Sequence, residues 1–230
     1  MRAMEDQLKT IGQDLSQITD MLLLNGTLTE CSGLVYGKMG IATFFFHYAK
    51  YTSNELYADY SIDLIGEMLN QMHVNSPAGY EKGMAGIGVG IDFLIRNNFL
   101  SVENDICEDF DDSMYRAVMY DPWQDFSQYN GLIGYGRYWI TRLRYQVPSI
   151  QARECLLYII EKIEERLPNI PIQEQTDVCC FLQDAINVAV LSSIISYFEQ
   201  NNSKYGMSNL SISMIVCFLT KDMSSSSPFL

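Results

Sequence analysis

Three Gly-x-x-Gly elements, Gly37-Lys-Met-Gly40, Gly83-Met-Ala-Gly86 and Gly131-Leu-Ile-Gly134, each open an apolar stretch. They stand 46 and 48 residues apart. Recurrence at that period marks a repeat architecture, in which one supersecondary unit is used several times and buries its apolar face against its neighbours. The stretches that follow begin Ile41-Ala-Thr-Phe-Phe-Phe, Ile87-Gly-Val-Gly-Ile and Tyr135-Gly-Arg-Tyr-Trp-Ile. Each is apolar on most sides, so each predicts an enclosed helix.

Between these stretches lie segments with a single apolar stripe. The first carries Leu8, Ile11, Leu15, Ile18 and Leu22 at steps of three and four. The second, 54–73, places Tyr57, Tyr60, Leu64, Met68 and Met72 on one face and Asp59, Asp63 and Glu67 on another, with Thr52 and Glu55 forming a capping box at its start. The third, 101–118, turns Val102, Ile106, Phe110 and Ala117 inward and its acidic residues Glu103 to Asp112 largely outward. The fourth, 149–167, uses Leu156, Ile159, Ile160, Ile163 and Leu167, and Pro168 ends it.

Enclosed and one-sided helices therefore alternate, and no segment shows the period-two alternation of a half-buried strand. The expected fold is all-α: an α/α toroid-like array of about four helical hairpins, inner apolar helices following Gly-x-x-Gly loops and outer amphipathic helices around them. Counting 46 residues on from Gly131 reaches Asp177-Val-Cys-Cys180, which reads as a degenerate fourth copy. Residues 1–222 are expected to form one domain, with Leu210 to Leu219 as a last helix and 223–230 as a disordered tail.

Composition limits the partners. A net charge of −13 disfavours nucleic acid and anionic membrane surfaces, which demand clustered Lys and Arg. No apolar run approaches the roughly 20 residues of a membrane helix, and the N-terminus lacks the apolar segment of a secretory signal. A cytoplasmic protein is expected. Its six cysteines, Cys31, Cys107, Cys155, Cys179, Cys180 and Cys217, lack disulfide-framework spacing and read as reduced thiols, mostly buried.

Repeated glycine at a helix start has two explanations. Either the loop packs too closely for a side chain, or backbone N–H groups are left pointing into a cavity. Packing is the favoured reading. Gly86-Ile-Gly88-Val-Gly90 is not a nucleotide loop, because its glycine order is wrong and no strand precedes it.

The segments Ser32-Gly-Leu-Val-Tyr-Gly37-Lys-Met-Gly-Ile-Ala42, Tyr80-Glu-Lys-Gly83-Met-Ala-Gly-Ile-Gly88 and Asn130-Gly-Leu-Ile-Gly134-Tyr-Gly136 resemble the repeated inner-helix starts of lanthionine synthetase C-like proteins. The resemblance covers about residues 30 to 145 and implies an α/α toroid. Its best-known members are zinc enzymes that add a cysteine thiol to a dehydrated serine or threonine of a precursor peptide. Their zinc ligands lie in Trp-Cys and Cys-His-Gly contexts that this chain lacks: Trp123 precedes Gln124, Trp139 precedes Ile140, and the two histidines, His47 and His73, follow no cysteine. No metal ligand is assigned, and no cofactor is expected.

In a toroid the loops leading into inner helices gather at one end of the axis. The candidate pocket therefore comprises Tyr36, Lys38, Tyr80, Glu81, Asp121, Trp123, Asp125, Tyr129, Arg137 and Asp177, with Cys31, Lys82, Asn130 and Cys179 nearby. Aromatic and acidic groups dominate, which suits a peptide substrate held without metal chemistry by an accessory protein of a peptide-modification pathway. The alternative is a metal-free enzyme acting on peptide or glycan, with Asp121, Asp125 and Asp177 supplying acid and base. So short an array leaves apolar inner-helix surface at its ends, and homodimerisation is expected from that.

Overall fold

A computed structural model describes residues 2–73, 76–102, 105–120, 122, 125–145 and 150–187. Among the described residues, eight α-helices and one 3-10 turn account for the regular structure and no strand occurs. The chain divides into two compact units, Met1–Asp105 and Ile106–Leu230. The expected last helix and tail lie outside the described residues.

The first unit holds α1 (Arg2–Gly26), α2 (Lys38–Thr52), α3 (Leu56–Gln71) and α4 (Met84–Arg96). α2 packs against α3, α4 and α1, and Met39, Ala42, Phe45, Leu64, Met68, Ile87 and Leu94 form the dry centre. α4 meets the expectation of an enclosed helix, with Met84 to Gly88 and Gly90 to Asp92 all buried. α2 does not: His47, Lys50 and Tyr51 are exposed, so it has a wet side. The stripe on α1 is covered only in part, since Leu15 and Leu22 are half-buried while Ile18 is 48% exposed.

The capping box at the start of α3 is replaced by a different device. Thr52 ends α2 and donates its hydroxyl to the Tyr48 carbonyl at 2.8 Å, and Ser53 takes a left-handed conformation that closes the helix. Asn54 then accepts the Leu56 N–H on Oδ1 at 3.2 Å. Its short side chain reaches the backbone two residues on, while the Thr52 hydroxyl is turned back to the preceding helix.

The second unit holds α5 (Glu108–Met119), α6 (Leu132–Tyr145), α7 (Ile150–Arg166), a 3-10 turn (Leu167–Asn169) and α8 (Ile172–Asn187). α6 lies among α5, α7 and α8 and is buried from Leu132 to Arg142 apart from Arg137, which is half-buried. A side chain at Gly136 would collide with the Phe181 ring of α8 and crowd Ile159 of α7. α5 starts later than its pattern suggested, at Glu108, and its acidic face is not wholly outward because Asp111 is buried.

The glycine loops repeat in atomic detail. The first helical N–H after each leading glycine donates to a carbonyl seven residues upstream: Lys38 to Cys31 at 2.9 Å, Met84 to Pro77 at 2.8 Å and Leu132 to Asp125 at 3.0 Å. In the first two loops the next N–H does the same, Met39 to Ser32 and Ala85 to Ala78. These amides would otherwise be orphans of the helix start. The loop that satisfies them runs so close that a Cβ on Gly83 would strike the Pro77 carbonyl, and one on Gly37 or Gly131 would strike the equivalent backbone of residues 31–33 or 125–127. The same holds one turn later, where Gly86 faces the Tyr80 carbonyl and Gly40 the Leu34 carbonyl.

The fourth copy is not one. α8 begins at Ile172, so Asp177 and Cys180 lie inside a helix rather than in a loop before it. Its connection from α7 is residues 167–171, too short to fold back seven residues, and Pro171 starts the helix instead by accepting the Glu174 N–H at 2.9 Å.

Gly83→Ala is expected to destabilise the protein by about 3 kcal/mol through forced overpacking against backbone. Gly66→Ala, in the exposed middle of α3 with open space where the methyl would go, should instead stabilise by about 0.5–1 kcal/mol. Urea unfolding of both variants checks the pair, and equal effects of one sign would contradict it.

Candidate functional site

The first two glycine loops meet. Val35 donates its N–H to the Glu81 carbonyl at 3.1 Å, and Gly33 is so close to Lys82 and Glu81 that no side chain fits between. Tyr36, Lys38, Tyr80 and Glu81 thereby belong to loops and a helix start that meet within the first unit. Their roles differ. Tyr36 is 67% exposed, with the Lys82 ammonium over its ring at 5.9 Å. Lys82 also stands 3.7 Å from the Glu81 carboxylate. Tyr80 is half-buried.

Lys38 is not available to a ligand. Its side chain is 3% exposed and its Nζ donates to Glu67 Oε2 of α3 at 2.7 Å. A lysine in the first turn of a helix meets the positive end of the helix dipole, so this carboxylate is its main compensation. Glu67 was expected on an outward face; its side chain is half-exposed and reaches back. The nearby Tyr60 hydroxyl is pushed up in pKa, first by burial and then by the Glu67 charge.

In the second unit, Asp125, Tyr129, Arg137 and Asp177 are described, whereas Asp121 and Trp123 lie outside the described residues. Asp125 Oδ1 accepts the Ser127 N–H at 2.9 Å while its carbonyl accepts Leu132. Asp177 Oδ2, from α8, accepts the Gln128 N–H at 2.8 Å. One turn earlier on the same face, Glu174 Oε2 accepts the Phe126 N–H at 2.8 Å, and farther along Asp184 pairs with Arg137 at 2.9 Å. Three carboxylates of α8 therefore hold the third glycine loop and α6. Tyr129 stays 52% exposed.

Sequence reasoning missed one buried cluster because it read Asp111 as part of a solvated acidic face. Arg142 forms a bidentate fork on Asp111, with Nε 2.9 Å from Oδ1 and Nη2 2.6 Å from Oδ2. Tyr138 donates its hydroxyl to Asp111 Oδ1 at 2.6 Å and also lies 3.2 Å from the Cys107 carbonyl. Such charge-assisted pairs are strong and geometrically demanding. Burial, then the Asp111 charge, pushes the Tyr138 hydroxyl far above the usual tyrosine range. The cluster joins α5 to α6 and leaves no acid or base facing a ligand. An Arg four residues after Tyr138, on the enclosed helix, was the available signal.

The cysteines are less buried than expected. Cys107 and Cys155 are buried, Cys31 is intermediate, and Cys179 and Cys180 are exposed on α8; Cys217 lies outside the described residues. Burial, followed by the Glu154 and Asp111 charges, pushes the Cys155 thiol far up, so it is no source of thiolate at neutral pH. A donor set for the zinc of lanthionine synthetase C-like enzymes does not assemble among the described residues: no group of three or more His, Cys, Asp or Glu is placed to hold a metal. His47 stands against Phe99 and Phe93, with ring centroids 4.7 and 5.8 Å away. No described helix is long and apolar enough to cross a membrane.

Comparison with known proteins finds no matching family model, no matching curated protein and no matching solved structure.

Two substitution experiments check this geometry. Glu67→Ala strands a buried ammonium and is expected to cost about 2 kcal/mol, whereas Lys38→Met leaves a half-exposed carboxylate that water can solvate and should cost less than about 1 kcal/mol. Asp177→Ala removes a partner from the loop backbone and should cost about 1–2 kcal/mol in the same chemical unfolding assay; an unchanged midpoint would contradict its role as a clamp.

Proposed function

We propose that this chain is a lanthionine synthetase C-like α/α-toroid protein that binds peptide without zinc chemistry, as an accessory component of a peptide-modification pathway. The three glycine loops, alike in hydrogen bonding as well as sequence, support the scaffold half of this reading. The observation that carries the functional half is the employment of Asp125 and Asp177 on the backbone N–H groups of Ser127 and Gln128. Carboxylates so engaged are poor candidates for acid and base, which favours binding over metal-free catalysis on a glycan or peptide. Among the residues the loops leave to solvent are two tyrosines, Tyr36 in the first unit and Tyr129 in the second. Tyrosine combines a broad apolar face with a hydroxyl and is a frequent contact residue at peptide interfaces.

Titration calorimetry of the full chain against cysteine- and serine-containing peptides and against oligosaccharides, with mass spectrometry of the recovered ligand, tests the reading. Saturable peptide binding with no change in ligand mass is expected, weakened about fivefold or more by Tyr36→Ala or Tyr129→Ala. Turnover of any ligand that disappears in a folded Asp177→Asn variant would overturn it in favour of the enzyme.

A further inference from the structure

Helix α1 carries an apolar row longer than its own unit covers. Leu8, Ile11, Leu15, Ile18 and Leu22, with Met4 in step before them, alternate at spacings of three and four. A seven-residue repeat of this kind is the pattern of a seam between two helices. The unit holds α1 by its last two turns. Thr19 and Gly26 are buried there, Tyr60 of α3 donates its hydroxyl to the Leu23 carbonyl at 3.4 Å, and a Cβ on Gly26 would meet Tyr60 and Ile41. Ahead of those turns the helix is open. Residues 12–14 and 16–18 are exposed, Leu15 is half-buried, and a Cβ on Gly12 would meet open space. The outer side of the row is apolar as well: Ile18 is 48%, Met21 64% and Leu24 73% exposed, where a one-sided surface helix would present polar groups.

Two features specify what covers this row. The first is the repeat itself, which continues through 12–18, ahead of the turns that the unit holds. Gly12 lowers the intrinsic stability of this part of the helix, and a helix gains most of its stability from packing an apolar face. A second helix with the same seven-residue repeat fits such a row. The second feature is charge. Residues flanking a seam choose between partners by opposite charges, and from Gly12 on the flanking residues are Gly12, Asp14, Thr19 and Met21, with one charge among them. They carry no charge pattern that would select a basic or an acidic partner. Another copy of α1 meets them without rows of like charge, although the chain as a whole carries −13. The row is therefore self-complementary, as a two-fold contact between identical chains requires.

We propose that two copies of this chain form a homodimer by packing their α1 helices on one another along Leu15, Ile18 and Leu22, with Met21 at the edge of the contact. The contact belongs to an outer helix and involves no inner-helix surface at the ends of the array. It is independent of the peptide-binding reading.

Sedimentation velocity of the full chain from about 1 µM to about 100 µM tests this, with a shift from one to two chain masses expected as concentration rises. Ile18→Glu and Met21→Glu each place a carboxylate in the apolar contact and are expected to raise the dissociation constant about tenfold or more. Ile18→Leu should keep the dimer. Leu56→Glu, at an apolar residue of α3 that is 72% exposed, should leave the association unchanged. Far-UV circular dichroism confirms that the variants are folded. The unmutated chain supplies a second reading, since amide exchange across residues 12–18 should slow as concentration rises. A monomer throughout the range overturns the proposal, as does a dimer that both glutamates leave intact or that Leu56→Glu weakens equally. Exchange across 12–18 that ignores concentration in a chain that does dimerise places the contact elsewhere and overturns it too. A monomer whose thermal midpoint falls with Ile18→Glu would assign the row to burial within one chain, with the same consequence.

Discussion

An α-helix begins with backbone N–H groups that its own hydrogen bonding cannot satisfy. Much of this structure depends on how three helices meet that constraint. Lys38, Met84 and Leu132 each find a carbonyl seven residues upstream, which obliges the preceding loop to double back against the helix start. The doubling leaves no room for a side chain at Gly37, Gly83 or Gly131. Glycine here is required by close approach of backbone to backbone. A helix start so occupied cannot also cradle an anionic ligand with the same amides, and the cavity-facing alternative for the glycines loses its donors.

The loops and helices are then fixed to their surroundings by ionised side chains, of which only Lys38 and Asp177 read from sequence as pocket residues. Glu174 and Asp177 hold the backbone of the third loop, Glu67 neutralises the buried Lys38, and Asp111 with Arg142 and Tyr138 locks α5 to α6. Carboxylates in a low-dielectric setting are most stable when paired and hydrogen-bonded. Their use in such pairs commits these particular acids to structure. Tyr36 and Tyr129 remain exposed in those loops.

Among the described residues, helix order and approximate bounds were legible because the period of the apolar residues is a local property of the chain. The glycine spacing located three helix starts to within a turn: α2, α4 and α6 begin at Lys38, Met84 and Leu132, just ahead of the expected Ile41, Ile87 and Tyr135. The fourth was misplaced because counting assumes a loop of constant length, whereas the α7–α8 connection is short and ends in Pro171. Burial was less legible. Asp111 sits among acids that do face water, and only Arg142 and Tyr138, some thirty residues on in α6, draw it inward. Lys38 looked like a pocket cation because its loop position was clear, but its partner Glu67 belongs to a different helix. Contacts between distant residues decide such cases, and one sequence does not display them.

Amide hydrogen exchange at helix starts tests the central claim most directly. Were the loops merely covering the helices, the first-turn amides of α2, α4 and α6 would exchange quickly, as unpartnered amides do. The hydrogen bonds described above predict protection of the Lys38, Met84 and Leu132 amides comparable to mid-helix positions such as Phe45, Ile91 and Trp139. Exchange of those three amides at the rate of exposed loop residues would contradict the account.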